Sequence, residues 1–154
     1  MNRTGAFDRV ALGATDVLVS RLAWGMWRFQ GDDLARARTL VDAALDTGIN
    51  LFDTADIYGF DGRDGFGDAE ILLGRLFAAD PGLRRKLVLA SKGGVVPGVP
   101  YDSSADYLVA ACEASLHRLG TDHLDLFQVH RPDVLTHPAE LARALETFVT
   151  SGKV

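Results

Sequence analysis

The sequence has few of the features that mark secreted, membrane-spanning or nucleic-acid-binding proteins. A single cysteine, Cys112, excludes an internal disulfide and fits a reducing compartment. The apolar runs have the length of strands and stay well below the roughly 18–20 residues of a transmembrane helix. The opening residues MNRTGAFDRV lack the apolar segment of a secretory signal. We therefore expect a cytoplasmic protein that does not span a membrane.

Basic residues are also in the minority, with 16 Lys and Arg against 21 Asp and Glu and a net charge of −5. This balance argues against nucleic acid as a partner. The one tight basic cluster, Arg84-Arg85-Lys86, is interpreted as a solvated turn before a strand. His117, His123 and His137 lack the spacing of metal ligands, so we predict no metal site and assign them to surface or capping positions.

The order of apolar and helical patterns predicts an α/β protein with a parallel sheet. A small hairpin, Arg9–Leu12 and Asp16–Val19, precedes four βα units. The four predicted strands are Leu22–Trp24, Ile49–Phe52, Leu87–Ala90 and Leu124–Val129.

Each strand is followed by a pattern of helical periodicity with its own start and stop signals. Helix one starts near Asp33 with an apolar stripe at Leu34, Ala37, Leu40, Val41, Ala44 and Leu45, and stops at Gly48. Helix two starts near Gly67-Asp68 with Ile71, Leu72 and Leu76 inside. Helix three opens at Ser103-Ser104 with Leu108, Cys112, Leu116 and Leu119 on one face, and ends at Gly120. Helix four has Pro138 in its first turn and ends at Gly152.

Four chemically active side chains follow successive predicted strands: Asp53 and Tyr58 after INLFD, Lys92 after LVLAS, and His130 after LDLFQV. Because the carboxyl ends of parallel strands meet on one face, we expect these four side chains to converge. Alone, each has an ordinary interpretation as a cap, turn or strand terminus. Together, at one face, they indicate a proton-transfer site.

The residue types suit the protonation of a carbonyl oxygen. A phenol, with an ordinary pKa near 10, becomes a useful acid when a cation stabilises its anion. An ammonium at about 4 Å does so by roughly 4 kcal/mol at an effective dielectric of 20. Lys92 can supply that charge to Tyr58, Asp53 can hold the lysine, and His130 can orient a substrate oxygen. The hydride must then come from a cofactor.

Two other candidates stay open or favour packing. Trp24 and Trp27 either wall a substrate pocket or fill the mouth of the barrel. Cys112 lies on the apolar stripe of helix three, which favours packing over a nucleophilic role.

Several segments of the chain are similar to motifs of the aldo/keto reductase family. LFDTADIYG at residues 51–59 resembles the family's F-D-T-A-x-x-Y-G, and GDAEILLG at 67–74 resembles its G-x-x-E-x-x-L-G. Ser91-Lys92 resembles the lysine strand end. Residues 116–126 with His130-Arg131-Pro132 resemble S-L-x-R-L-x-x-D-Y-x-D-L-x-x-x-H. The similarity runs from about Leu12 to Val154 in the family's order.

The resemblance implies a (β/α)8 TIM barrel and NADPH-dependent reduction of aldehydes or ketones to alcohols. It implies that Tyr58 is the general acid, Lys92 and Asp53 its tuning pair, and His130 the residue that orients the carbonyl. It places Gly25, Met26 and Asp53 at the NADP(H) cofactor, and Trp27, Tyr58 and His130 around a small carbonyl substrate.

Such a barrel needs about 250 residues, so we expect residues 1–154 to be the N-terminal portion of a single domain, inactive alone. One alternative is a half-barrel subunit that self-associates or pairs with a separate C-terminal half. The other is a noncatalytic NADPH-binding interaction protein of the same fold, such as an auxiliary potassium-channel subunit.

Overall fold

The structure is a computed structural model that describes residues 8–99 and 101–154. Most of the opening segment used to argue against a secretory signal, residues 1–7, lies outside the described residues. No helix in the described part is long and apolar enough to cross a membrane.

The described chain forms a hairpin and four consecutive βα units, as predicted. Strands β1 and β2 are antiparallel, and strands β3 to β6 form a parallel sheet in sequence order. The strands are β1 Arg9–Ala11, β2 Leu18–Ser20, β3 Ala23–Gly25, β4 Leu51–Asp53, β5 Val88–Gly93 and β6 Leu126–Val129. The helices are α1 Leu34–Asp46, α2 Asp68–Ala79, α3 Ala105–Leu119 and α4 Pro138–Thr150.

The observed strand bounds differ from the predicted ones by one to three residues at several ends. The most consequential difference is at β5, which continues past Ala90 so that Lys92 lies inside the strand instead of after it. Its extension is stabilised by β6, since Lys92 and Gly93 pair with Gln128 and Val129. Apolar character alone could not show this, because the added residues are Ser, Lys and Gly.

The predicted helix signals are confirmed at both ends. The Asp33 side chain caps α1 by accepting a hydrogen bond from the Arg36 amide at 2.9 Å. The Ser104 side chain caps α3 by accepting a hydrogen bond from the Tyr107 amide. His137 caps α4 through Nδ1, which accepts from the Ala139 amide at 3.1 Å. Gly120 is the C-terminal cap of α3, and Gly48 directly follows the cap of α1. Both glycines have a positive φ.

Two predicted core residues face outward. Leu40 on α1 is 45% exposed and Ile71 on α2 is 42% exposed. Their neighbours Val41 and Leu72 are buried, and one residue along a helix turns the side chain by about 100°. Each stripe is therefore narrower than predicted.

The basic turn is also less solvated than predicted. Residues Arg84–Lys86 form a 3-10 turn, and the Arg84 side chain is only 14% exposed. Its guanidinium binds the Asp125 carboxylate at 2.9 Å and donates to the His123 carbonyl at 3.1 Å. Arg84 thus links the turn before β5 to the segment before β6, at the amino ends of these two strands.

The core lies between the sheet and its helices. Phe52, Leu89 and Leu73 are fully buried there, and Phe127 packs edge-on against Phe148 with ring centroids 5.2 Å apart. Cys112 is fully buried in the same cluster, as expected of a packing residue, and burial raises the pKa of its thiol to about 11.

Close contact between α2 and α3 requires a glycine at position 74. A Cβ built there would lie 2.2 Å from the Arg118 carbonyl oxygen and 3.1 Å from Leu119 backbone atoms. These contacting atoms belong to the backbone, which cannot move aside as the end of a flexible side chain can. The two helices would therefore have to separate.

We predict that Gly74→Ala lowers the free energy of unfolding by about 2 kcal/mol or more because it forces this separation. Urea unfolding of the chain measures the change. Arg75→Ala, at an exposed position on the same helix, is the matched control and should stay within about 0.5 kcal/mol of the parent. Equal effects of both substitutions would contradict the role of the contact.

Candidate active site

The ammonium of Lys92 brings the predicted proton-transfer residues together. Lys92 Nζ lies 2.9 Å from Asp53 Oδ2 and donates to the Tyr58 hydroxyl oxygen at 3.0 Å. Its third bond goes to the Thr54 carbonyl oxygen at 2.8 Å. The ammonium therefore makes two hydrogen bonds and one ion pair, and both Lys92 and Tyr58 are 9% exposed. The cation is therefore fixed beside the phenol.

Backbone pairing beyond the end of β4 sets this geometry. The Thr54 amide donates to the Ala90 carbonyl at 2.9 Å, and the Asp56 amide donates to the Lys92 carbonyl at 3.0 Å. The loop after β4 therefore continues along β5 before turning at Tyr58, whose carbonyl accepts from the Ala69 amide of α2. Tyr58 is held between β5 and the start of α2.

His130 joins the group from the end of β6. Its amide donates to the Gly93 carbonyl at 2.8 Å, and its ring meets the Tyr58 ring edge-on at 5.6 Å between centroids. Burial lowers the pKa of His130, and the Lys92 and Arg131 cations lower it further. His130 Nδ1 is buried and has no hydrogen-bond partner among the described residues. The lowered pKa favours the neutral imidazole at pH 7.

The two tryptophans have different environments: Trp24 packs into the core, and Trp27 borders a cavity. Trp24 packs edge-on against Phe29 and Phe52, at 5.4 and 5.2 Å, as part of the core. Trp27 is 65% exposed and lies 5.3 Å from the Tyr58 ring. It borders a cavity of about 170 Å³ whose other lining residues are Gln30, Ile57, Tyr58, Gly59 and Phe60. A larger cavity of about 360 Å³, beside α1 and away from Lys92, is lined by residues including Arg28 and Arg36.

The three residues predicted to contact the cofactor, Gly25, Met26 and Asp53, differ in how much open space surrounds them. Gly25 pairs with Asp53 across the sheet, and a Cβ built at Gly25 would meet nothing within 4 Å, which leaves room for close approach of a planar ring. Met26 is completely buried, its amide donates to the Asp53 carbonyl, and its carbonyl accepts from Phe29. Gly25 and Asp53 therefore lie side by side at the strand ends with open space at Gly25, whereas Met26 is buried and presents no exposed surface.

A second buried polar group, not predicted from the sequence, lies on the other side of the strands. Glu70 of α2 is completely buried; its Oε1 accepts from the Ser91 hydroxyl at 2.5 Å and its Oε2 pairs with Arg118 Nε at 2.7 Å. Asp56 lies beside this pair and is 1% exposed. Burial, and then the Glu70 carboxylate, raise the pKa of Asp56 to about 7. Glu70 and Arg118 both stand in the motifs quoted above, but their spacing gave no sign that they meet.

Among residues 8–99 and 101–154, no group of three or more His, Cys, Asp or Glu side chains could hold a metal ion. The site consists of a phenol, an ammonium, a carboxylate and an imidazole, and can exchange a proton with a bound oxygen atom.

Comparison with known proteins places the chain in a family. The family profile described as "Aldo/keto reductase family" matches residues 21–154. The chain belongs to the aldo/keto reductase family. The predicted resemblance is therefore confirmed, and the relatives in this family include proteins named as reductases.

Relatives within the family cover nearly all of the chain. A 6-dehydroglucose reductase of Novosphingobium aromaticivorans is 59% identical over 145 residues, covering 93% of this chain and 48% of that protein. A protein of the same name from Agrobacterium fabrum is 40% identical, covering 96% of this chain and 51% of that protein. The chain thus spans about half the length of the curated relatives it matches.

A solved family structure has the same fold. The aldo-keto reductase AKR11C1 from Bacillus halodurans, in its holo form, superposes with a TM-score of 0.78 at 31% identity. The match covers 95% of this chain and 47% of the other. The predicted fold class is therefore confirmed: the hairpin and four βα units correspond to part of the family's TIM barrel.

The electrostatic effect of Lys92 on His130 is directly measurable. We predict that Lys92→Met raises the pKa of His130, because it removes a cation that disfavours the imidazolium. NMR titration of the histidine ring protons in the chain without cofactor gives the midpoint, and Lys86→Met, at an exposed position, serves as the control. An unchanged or lower midpoint in Lys92→Met would contradict the arrangement.

The raised pKa of Asp56 predicts that the folded chain loses stability as the pH rises to neutral. Its folded-state pKa of about 7 exceeds the ordinary 3.8, so the unfolded chain releases this proton first as the pH rises. The stability that protonated Asp56 contributes is complete below pH 4 and is lost as the pH rises through 7. Between pH 5 and 8, Asp56→Asn should gain about 2–3 kcal/mol relative to the parent.

Urea unfolding at pH 5, 6.5 and 8 measures this difference. Asp46→Asn, at an exposed site on α1, is the control and should show no such trend. A constant difference between Asp56→Asn and the parent over this range would contradict the raised pKa.

Proposed function

We propose that this chain carries the proton-handling half of an NADPH-dependent reductase of aldehydes or ketones. The observation that carries the proposal is the three-way bonding of Lys92 to Tyr58, Asp53 and the Thr54 carbonyl at 2.8–3.0 Å. An ammonium held against a buried phenol is the arrangement that lets the phenol give up a proton.

In the proposed reaction Tyr58 protonates the carbonyl oxygen of the substrate. Lys92 stabilises the resulting phenolate, and Asp53 keeps the ammonium charged and directed. Neutral His130 donates a hydrogen bond to the same carbonyl oxygen through Nε2 and so fixes its position. When bound, NADPH supplies the hydride that the carbonyl carbon accepts. Solvent then returns a proton to Tyr58.

The residues near Gly25 support the cofactor assignment. We propose that Gly25, Asp53 and the face of His130 lie against the nicotinamide and its ribose, where the open space above Gly25 admits a flat ring. Met26 takes part through packing beneath Gly25. The preference for NADPH over NADH follows the family resemblance only.

The substrate is proposed to be a small hydroxylated carbonyl compound. The relatives from Novosphingobium and Agrobacterium are both named 6-dehydroglucose reductase. Trp27 offers an exposed ring face 5.3 Å from Tyr58, and Gln30 offers an amide to the same cavity. A ring face with a nearby amide suits a sugar, which has both apolar C–H faces and hydroxyl groups.

We also propose that residues 1–154 form the first part of a single domain. The Leu124 amide, just before β6, donates to the Lys153 carbonyl at 2.9 Å, so the segment after α4 returns alongside β6. That is the position of a fifth strand. The half-barrel subunit and the noncatalytic interaction protein stay predictions, which gel filtration and an NADPH fluorescence titration of the chain would test.

A chimera tests the function directly. This chain is joined to the part of the Novosphingobium reductase that it does not cover, and reduction of 6-dehydroglucose and of simple aldehydes is followed by NADPH absorbance. We expect turnover in the chimera, and a loss of about 10²–10⁴-fold in Tyr58→Phe with NADPH binding nearly unchanged.

Tyr101→Phe, which removes an exposed hydroxyl, is the matched control and should keep full turnover. Full turnover in Tyr58→Phe would remove Tyr58 from the acid role. A folded chimera that binds NADPH and reduces no carbonyl compound would overturn the proposed function.

A further inference from the structure

A set of buried polar contacts joins β5 to the two helices behind it. The Ser91 hydroxyl of β5 donates to Glu70 Oε1 of α2 at 2.5 Å, and Glu70 Oε2 pairs with Arg118 Nε of α3 at 2.7 Å. Arg118 Nη2 in turn donates to the Ser115 hydroxyl at 3.2 Å. Ser91, Glu70 and Ser115 are completely buried. Directional bonds therefore connect three elements of the fold.

The surroundings of Arg118 hold its side chain in one place. A Cβ built on Gly67 would lie 2.5 Å from Arg118 Cδ and 2.7 Å from its Nε, so the missing side chain at residue 67 leaves the space that the arginine occupies. The guanidinium carbon lies 5.8 Å from the centre of the Phe66 ring. Charge-assisted bonds between such groups are short and strong. Glu70, bonded to a fixed arginine, therefore presents a fixed oxygen to Ser91.

Stability alone does not account for a buried ion pair at this position. Removing a carboxylate and a guanidinium from water costs several kcal/mol, and their mutual attraction offsets this cost only when their other bonds are also made. Apolar side chains of similar size would hold α2 against α3 about as well. An apolar contact could not, however, give the Ser91 hydroxyl a bond of defined length and direction.

The bond to Ser91 bears on the position of the residue that follows it in β5. The Ser91 side chain faces the helices, whereas that of Lys92 faces Tyr58. Ser91 and Lys92 share a peptide group, so a bond that fixes Ser91 limits rotation of the backbone at Lys92. Beyond the end of β4, the Asp56 amide holds one edge of β5 by donating to the Lys92 carbonyl at 3.0 Å, and β6 pairs with the other edge. Ser91 adds a contact from the helix side.

The length of the lysine side chain makes its ammonium sensitive to small rotations of the strand. Lys92 Nζ lies 3.0 Å from the Tyr58 hydroxyl oxygen, and a displacement of about 1 Å at a reacting group can cost about 10²-fold in rate. We propose that Ser91 and Glu70 are positioning residues, whose hydrogen bond keeps the Lys92 ammonium at the Tyr58 hydroxyl. The effect of this bond on turnover rests on the proposed function, whereas its effect on the ammonium does not.

The first test measures how firmly the Lys92 ammonium is held in the 154-residue chain without cofactor. NMR of the chain labelled with nitrogen-15 lysine detects ammonium protons that exchange slowly with water. Lys92 is one of three lysines, and Lys92→Met identifies its signal. Ser91→Ala removes the bond to Glu70. We expect the Lys92 protons to exchange about fivefold faster in this variant than in the parent, the effect of one lost hydrogen bond.

Ser115→Ala is the matched control for Ser91→Ala. It also deletes a completely buried hydroxyl of the same set of contacts, but that hydroxyl bonds to Arg118 on its own helix instead of to β5. Urea unfolding measures the stability that each variant loses. The exchange of the Lys92 protons in Ser115→Ala should stay close to that of the parent, whereas a role limited to stability would make exchange follow the stability lost.

A double variant tests Glu70 without leaving one buried charge unpaired. Glu70→Met together with Arg118→Met removes both charges and replaces them with flexible apolar side chains. The Ser91 hydroxyl then loses its acceptor on α2. We expect the Lys92 protons to exchange faster in the double variant, as in Ser91→Ala, and amide NMR establishes that each variant is folded.

The second test measures turnover in the chimera with the remaining part of the Novosphingobium reductase. Ser91→Ala should lower kcat about fivefold, the effect of one lost hydrogen bond, and leave KM for NADPH unchanged, because the substitution acts on proton transfer. Ser115→Ala should keep the kcat of the parent chimera. An active chimera in which Ser91→Ala has full kcat would contradict the effect on turnover.

Unchanged exchange of the Lys92 protons in folded Ser91→Ala would overturn the positioning role, and so would an equal increase in Ser115→Ala. Slow exchange in the folded double variant would remove Glu70 from this role, and the lack of a slowly exchanging Lys92 signal in the parent would overturn the proposal as a whole. A parent chimera that binds NADPH and reduces no carbonyl compound would overturn the proposed function instead, and the exchange measurement would still decide the positioning.

Discussion

The continuation of the β4 backbone along β5, beyond the end of β4, is the constraint on which the rest depends. Bonds from the Thr54 and Asp56 amides to the carbonyls of Ala90 and Lys92 hold the loop against the strand for two further steps. They place the Thr54 carbonyl above Lys92 and bring the chain to its turn at Tyr58. Without them the lysine would have no fixed distance to the phenol.

Successive side chains of β5 point to opposite faces of the sheet, and this separates two groups of polar side chains. Lys92 points to the phenol and Asp53, whereas Ser91 and Gly93 point to the helices. Because successive side chains of a strand face opposite sides, the Glu70–Arg118 pair and Asp56 can lie close to Lys92 in space and still be outside the group formed by Lys92, Tyr58 and Asp53. Gly93 also lets α3 approach, since a Cβ there would lie 3.1 Å from the Ala111 methyl group.

The parts of the fold that follow from local pattern were predictable from sequence. Helix caps at Asp33 and Ser104 and the order of the four βα units depend on spacing and turn chemistry, and so does the convergence of Asp53, Lys92 and His130. The outward faces of Leu40 and Ile71 were not predictable, because the width of a buried stripe depends on which neighbours cover it.

The buried ion pair between Glu70 and Arg118 was also not predictable from the sequence. Glu70 and Arg118 belong to different helices 48 residues apart, and each reads as an ordinary surface charge. Three ionisable groups, Glu70, Arg118 and Asp56, therefore meet behind one strand. Side-chain burial on the helix side of a sheet depends on how helices pack, and a strand pattern contains no information about that packing.

The charges around Lys92 limit which group can release a proton to a bound oxygen. Asp53 forms an ion pair with Lys92, and the ammonium donates to the Tyr58 hydroxyl and the Thr54 carbonyl, so its position is fixed. The same cation, together with burial, lowers the pKa of His130, which keeps the imidazole neutral and leaves it to donate a hydrogen bond without releasing a second proton. Tyr58 is the remaining O–H at the centre of the group. The fixed position of one ammonium therefore supports the roles of acid, counter-ion and orienting residue that we propose for Tyr58, Asp53 and His130.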